Sequence, residues 1–410
     1  MILRPYEAAH DHDAIKRIWK EVGWITKDEH EKALAPLLDR AAVAVAELNG
    51  SAECMVMADR ADMRYFDQTL PIAAVTGVTT SRVARKRGLA GRLTARLTAE
   101  RAAEGDVAAF LGAFELGFYD RIGFGTGSYV HWTNFAPADL VLPDGPSARI
   151  PIRLDEKDWA RIHTCRESHL RQHGSCIIRS PELTHFEMLW SDNGFGLGYE
   201  EDGELTHHMW FSADNVEHGP YRVEWIAYRN AEQFFELMRL LQGLGNQIHT
   251  ARMPDPPGIR IHSLLRQPFT YWQLTRKADM PHHVLTEDYW QTRILDLEAC
   301  IAAVRMTGGS LRFNLRLTDP IAGYLESDAP WHGVAGDYVV TLGTESSAEP
   351  GCDESLPTLV ASVNAFSRFW VGAVPASKLA WIDEFSGPAE LLHTLDEELR
   401  LPPIEPGWFF

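Results

Sequence analysis

Three observations predict a mixed α/β fold, with α/β and α+β character, for this 410-residue chain. β-Branched apolar runs alternate with stretches whose apolar side chains recur at helical spacing. One run, residues 72–78, passes through the basic turn Arg85-Lys86-Arg87-Gly88-Leu89-Ala90 into a segment with Leu89, Leu93 and Leu97 on one face. The length exceeds one ordinary core, so two to three domains are expected.

In chain order, Asp11 and Asp13 read as the cap of a helix carrying Ile15, Ile18, Trp19 and Val22. A second helical pattern at 30–40 is interrupted by Pro36. Residues 41–48 and 54–57 read as strands joined by Asn49-Gly50, a pair suited to a two-residue hairpin. The strand and helix at 72–97 follow, then an apolar strand at 107–111. Pro and Gly at 137–151 mark a domain junction. Beyond it, 155–169 and 231–244 are helical patterns, and Phe234, Leu237, Leu240 and Leu241 share a face of the latter; 253–260 is a loop. A third region starts near Tyr289, with a helix beginning at Ile294 and Leu295 and strands at 311–317 and 338–342. Segments 362–370 and 376–382 continue it, before a helix through 391–400.

Hydrophobic content of 45% and charged content of 23% suit a soluble globular protein. No apolar run approaches 18 residues and the N-terminus lacks a signal-peptide pattern, so the cytoplasm is the expected location and no membrane partner is expected. A net charge of −18 opposes binding to a nucleic-acid backbone and is compatible with a cationic acceptor. Five scattered cysteines without a C-x-x-C pair argue against a disulfide framework or zinc ribbon.

The strand, glycine turn and helix at 72–97 form the arrangement that aims backbone N–H groups and a positive helix end at an anion. Gly88 and Ala90 leave room for a phosphate, and Arg85, Lys86 and Arg87 add charge; the alternative is an exposed basic helix start without a ligand. About thirty residues on comes Phe118-Tyr119-Asp120-Arg121-Ile122-Gly123-Phe124.

Arg-x-x-Gly-x-Ala followed by Phe-Tyr-x-x-x-Gly-Phe resembles the GNAT family of acetyl-CoA-dependent N-acetyltransferases. With the motif-poor middle, and Arg293-Ile294-Leu295-Asp296-Leu297-Glu298-Ala299 and Thr318-Asp319-Pro320 further on, the whole chain is similar to the Eis (enhanced intracellular survival) group. That resemblance implies an N-terminal GNAT domain with the CoA site at 1–140, a degenerate GNAT-like domain at 141–285, and a sterol carrier protein-like domain at 286–410. It places acetyl-CoA, the co-substrate, against Val78, Thr79 and Thr80, then Lys86, Arg87, Gly88, Leu89, Ala90 and Gly91, with Phe114 and Glu115 as a further contact region.

The resemblance makes Tyr119 the acid that protonates the departing thiolate, and a phenol with a pKa of about 10 is protonated at neutral pH. It makes the Phe410 α-carboxylate the general base, anchored by Trp408 and Phe409; the alternative is an apolar tail packed on its own domain. The implied partners are a small-molecule or peptide amine and other copies of the chain, as a homohexamer.

Other motifs are weaker. The glycines at 123–127 read as a turn, and those at 243–245 lack a full dinucleotide fingerprint. His163, Cys165, His169, His173 and Cys176 cluster, with His169 and His173 at helical spacing, but no zinc motif supports a metal and none is expected. His207-His208 and His282-His283 read as surface pairs. Serine-hydrolase and P-loop motifs are missing. The expected function is acetyl transfer to a primary amine through a ternary complex. The rivals are a lipid- or small-molecule-binding protein with a silent GNAT site, and a GNAT enzyme acting on protein lysine or a polyamine.

Overall fold

The computed structural model describes residues 1–145, 149–169, 171–267, 282–306, 308–402 and 404–408. Part of the junction expected at 137–151, and the Phe409 and Phe410 of the tail, lie outside the described residues.

The N-terminal sheet is built from β1 (Ile2–Pro5), β2 (Ala42–Leu48), β3 (Ser51–Tyr65), β4 (Gln68–Thr80), β5 (Ala108–Gly112) and β6 (Gly125–Thr126). Its first four strands are antiparallel neighbours in chain order. β5 then pairs parallel to β4. Asn49 and Gly50, at φ 52° and 78°, form the tight turn expected of that pair. Two distant segments complete the sheet: Trp290–Ile294 lies between β5 and β6, and Cys176–Ile178 pairs with the far end of β3.

Helices α1 (Ala8–Glu21) and α2 (Asp28–Arg40) cover one face, and α3 (Leu89–Ala103) covers the other. The period of two in β3 explains the division: Met55 and Met57 join Ile15, Ile18 and Trp19, whereas Cys54 and Val56 join Leu93 and Leu97. α1 starts three residues before the expected cap. Asp11 is a fully buried first-turn residue that accepts from the Glu7 N–H at 2.9 Å and binds Arg4 at 2.7 Å. α2 runs unbroken through Pro36.

The second sheet repeats the order of the first. Phe195–Glu201, Glu204–Ala213 and Tyr221–Ala227 are antiparallel neighbours; a helix, Ala231–Gly243, then leads to Ala251–Pro254, which is parallel to Tyr221–Ala227. Val130–Phe135 and His283–Glu287 extend it at that edge. Met253 and Pro254, expected in a loop, therefore end a strand. His207 and His208 are buried, and His282 nearly so, because packing covers both faces of the strand carrying the first pair. They are not surface pairs.

The third sheet has Leu311–Thr318 at its centre, antiparallel to Gly336–Leu342 and parallel to Thr358–Ser362. Val363–Trp370 and Ala376–Ile382 are helices. Ile294 ends a strand rather than opening a helix; the helix is Leu297–Ala302, capped by Asp296 accepting from the Ala299 N–H. Within the 123–127 glycine run, Gly123 turns at φ 90° but Gly125–Thr126 is the strand β6.

Candidate active site

The β4–β5 pairing ends at Val75 and Leu111, so Thr76, Thr79 and Thr80 pair with β3 alone. Their opposite edge is open where the two parallel strands part. A bulge lies at this point: Val56 of β3 opposes both Gly77 and Val78, and Gly77 has φ 64°. A left-handed residue at a bulge favours glycine and turns the next backbone unit out of the ladder. Thr79 donates its hydroxyl to the Gly77 carbonyl at 3.3 Å, and the Thr80 hydroxyl lies 3.2 Å from the Cys54 thiol.

The basic turn leads into α3 with Lys86 at φ 62° and Gly88, its N-cap, at φ 72°. No side chain caps this helix. The corresponding helix of the second sheet is closed off, since the Asn230 side chain accepts from the Gln233 N–H. The donors at the start of α3 thus have no side-chain acceptor and are available to an anion, whereas the Gln233 N–H of the second helix is engaged. Arg85, Lys86, Arg87 and Gly88 are all exposed, and a Cβ at Gly88 would meet no atom within 4 Å. A Cβ at Gly91 would lie 3.6 Å from the Tyr324 ring, so the third region borders this turn.

Tyr119 lies on α4 (Leu116–Asp120), whose N-terminal neighbours Phe114 and Glu115 are exposed. The phenol ring is 1% exposed, in a cluster with Cys54, Leu89, Leu93 and Leu111; half-buried Val78, Ala90 and Phe118 pack against it. Burial, then the neighbouring Cys54, raises the Tyr119 pKa above its ordinary value. The structure thus brings Val78, Leu89, Ala90 and Tyr119 together. Phe114, 80% exposed two residues beyond β5, takes no part in that cluster.

A cavity of about 410 Å³ opens at the bulge, where Thr76 and Gly77 form part of its wall. The rest comes from distant segments: Trp19 and Trp24 near α1, Phe186 and Trp190 of α6 (Pro181–Trp190), Trp225 of the second sheet, and Tyr289. Glu187 and Glu224 supply carboxylates, and Arg166 and Arg222 supply guanidiniums. Burial pushes the Glu187 carboxyl up, with Arg166 opposing the shift. None of these residues stood out in the sequence as a site; the thirteen tryptophans were the available signal, and they are scattered along the chain.

The tail reaches the same cavity. Gly407 lines it, the Cys176 N–H donates to the Pro406 carbonyl at 2.7 Å, and Trp408 stacks beneath the Arg166 guanidinium at 3.5 Å. Among the described residues no group of three or more His, Cys, Asp or Glu side chains is arranged to hold a metal. α5 (Trp159–Glu167) ends before His169, so His169 and His173 do not share a helix face.

Residues 3–127 match the family model described as an acetyltransferase (GNAT) domain. No curated protein matches. Among solved structures, the chain is similar to a conserved Enterococcus faecalis V583 protein described as a "Probable N-Acyltransferase", at 14% identity and a TM-score of 0.80, covering 100% of this chain and 99% of the other. It is also similar to a GCN5-related N-acetyltransferase from Kribbella flavida, at 17% and 0.74, and to Eis1 from Mycobacterium abscessus, at 16% and 0.76, each covering 100% of both chains. The chain carries an acetyltransferase (GNAT) domain at residues 3–127 and has the fold of the GNAT acyltransferases.

Proposed function

We propose that the protein transfers an acetyl group from acetyl-CoA to a primary amine. The observation that carries this reading is the convergence of an open strand edge at Val78, an uncapped basic helix start at Gly88 and a buried phenol at Tyr119, beside a cavity that opens at Gly77. The pyrophosphate would lie on Lys86, Arg87, Gly88, Leu89, Ala90 and Gly91, and the pantetheine along Val78, Thr79 and Thr80. Phe114 and Glu115 would border it.

The amine nitrogen, as the free base, attacks the thioester carbonyl; the C–S bond breaks, the nitrogen gives up a proton, and Tyr119 protonates the thiolate. The backbone N–H of Val78 is the proposed oxyanion donor. The Phe410 carboxylate is the proposed base, a role supported by the resemblance and by the anchoring of 404–408 beside the cavity. The division at 140 and 285, the sterol carrier-like last unit, the cytoplasmic location and a hexamer belong to the same proposal. Sedimentation well above 46.1 kDa would support assembly.

Thiol release from acetyl-CoA across a panel of amines tests the reading. Binding of acetyl-CoA without release to any amine would leave a silent site and overturn it.

A further inference from the structure

Resting on the transfer reading above, we propose that the acceptor is a monoamine with a flat, aromatic or similarly apolar body, and that polycationic amines are poor acceptors. The cavity walls carry the argument. Trp190 stacks on Phe186 with ring centres 4.1 Å apart, and Trp19 meets Trp24 edge-on at 5.1 Å and Trp190 at 5.9 Å. Trp225 and Tyr289 add two more rings. Such a lining favours a flat apolar body by area and ring geometry.

Charge decides against a polycation. The charged side chains on the lining are two carboxylates and two guanidiniums, and they are already paired. Glu187 binds Arg166 at 2.5 Å and accepts from the Trp408 indole at 2.8 Å. Glu224 accepts from the Ser212 hydroxyl at 2.5 Å and faces Arg222 at 3.2 Å. Arg166 also lies over the Trp225 ring at 4.2 Å. No surplus negative charge is built into the described wall, so several ammonium groups would lose their hydration without counter-ions. The size agrees, since about 410 Å³ is near the lower end of the roughly 300–1,000 Å³ of small-molecule sites.

Isothermal titration of the full chain with CoA present tests this without relying on turnover. 2-Phenylethylamine and tryptamine should bind at least about tenfold more tightly than spermidine or a tetra-amino sugar. Equal or tighter binding of either polyamine, or no binding of both arylalkylamines, would overturn the proposal. Trp190→Ala should weaken 2-phenylethylamine about tenfold, with Trp190→Phe restoring most of it and acetyl-CoA affinity unmoved. Undiminished arylalkylamine affinity in Trp190→Ala would count against it. Arg222→Gln, which frees Glu224, should tighten spermidine; no gain would remove the charge argument. Arylalkylamine binding without thiol release would sink the transfer reading alone, and release favouring spermidine would sink this inference alone.

Discussion

The Trp408 indole donates to Glu187 at 2.8 Å across 221 positions of sequence, tying the tail to the wall of the cavity. Both partners contact Arg166, through its charge for Glu187 and its planar face for Trp408. Adding residues after Phe410 would turn the proposed base into a neutral amide, and displacement on that scale costs about 10²-fold. We expect such an extension, and deletion of Phe409 and Phe410, to cut turnover by about that factor while acetyl-CoA affinity holds. An extended chain with native kcat would show that the tail only packs.

Gly88→Asp should abolish measurable acetyl-CoA binding. The new carboxylate would stand where the pyrophosphate is expected, on a left-handed position that aspartate tolerates better than most residues, so charge rather than strain carries the loss. Calorimetry on the folded variant decides, with unchanged affinity overturning the assignment of the turn.

Tyr119→Phe should slow turnover by about 10²- to 10⁴-fold with cofactor affinity preserved. The pH profile carries a signed expectation. Burial raises the Tyr119 pKa, so the phenol keeps its proton as pH rises. kcat/KM should therefore climb as the acceptor amine deprotonates, with no fall up to about pH 10. A basic limb near pH 8 would exclude Tyr119 as its source.

Gly77→Ala tests the bulge. At φ 64° an alanine costs about 1–2 kcal/mol, and its Cβ would lie 3.0 Å from Met57 Cγ. We expect a modest fall in melting temperature and a larger fall in turnover, because the bulge sets the direction of the Val78 N–H. Loss of stability with turnover intact would confine Gly77 to folding.

How much was legible depends on how local each feature is. Gly88, the basic residues before it and Tyr119 stand at short, regular spacings, so local chemistry exposed them. In the sequence Gly77 reads only as part of an apolar strand, although an internal glycine is the usual mark of a bulge. Trp290–Ile294 carries no strand signal because all five residues are buried, including Gln291 and Arg293, which removes the alternation that marks a strand. Arg293 tolerates that burial because Asp319, from the third region, binds it at 2.6 Å.

The sequence by itself determined the mixed α/β class and the β4–turn–α3 unit with its open helix start, since propensity, glycine and charge act within a few residues. Only the tertiary structure decided the aromatic cavity. Trp19, Gly77, Trp190, Trp225, Tyr289 and Gly407 meet there from segments spread over nearly the whole chain. Burial and long-range pairing, which leave no local period, assemble that wall and set its charge balance.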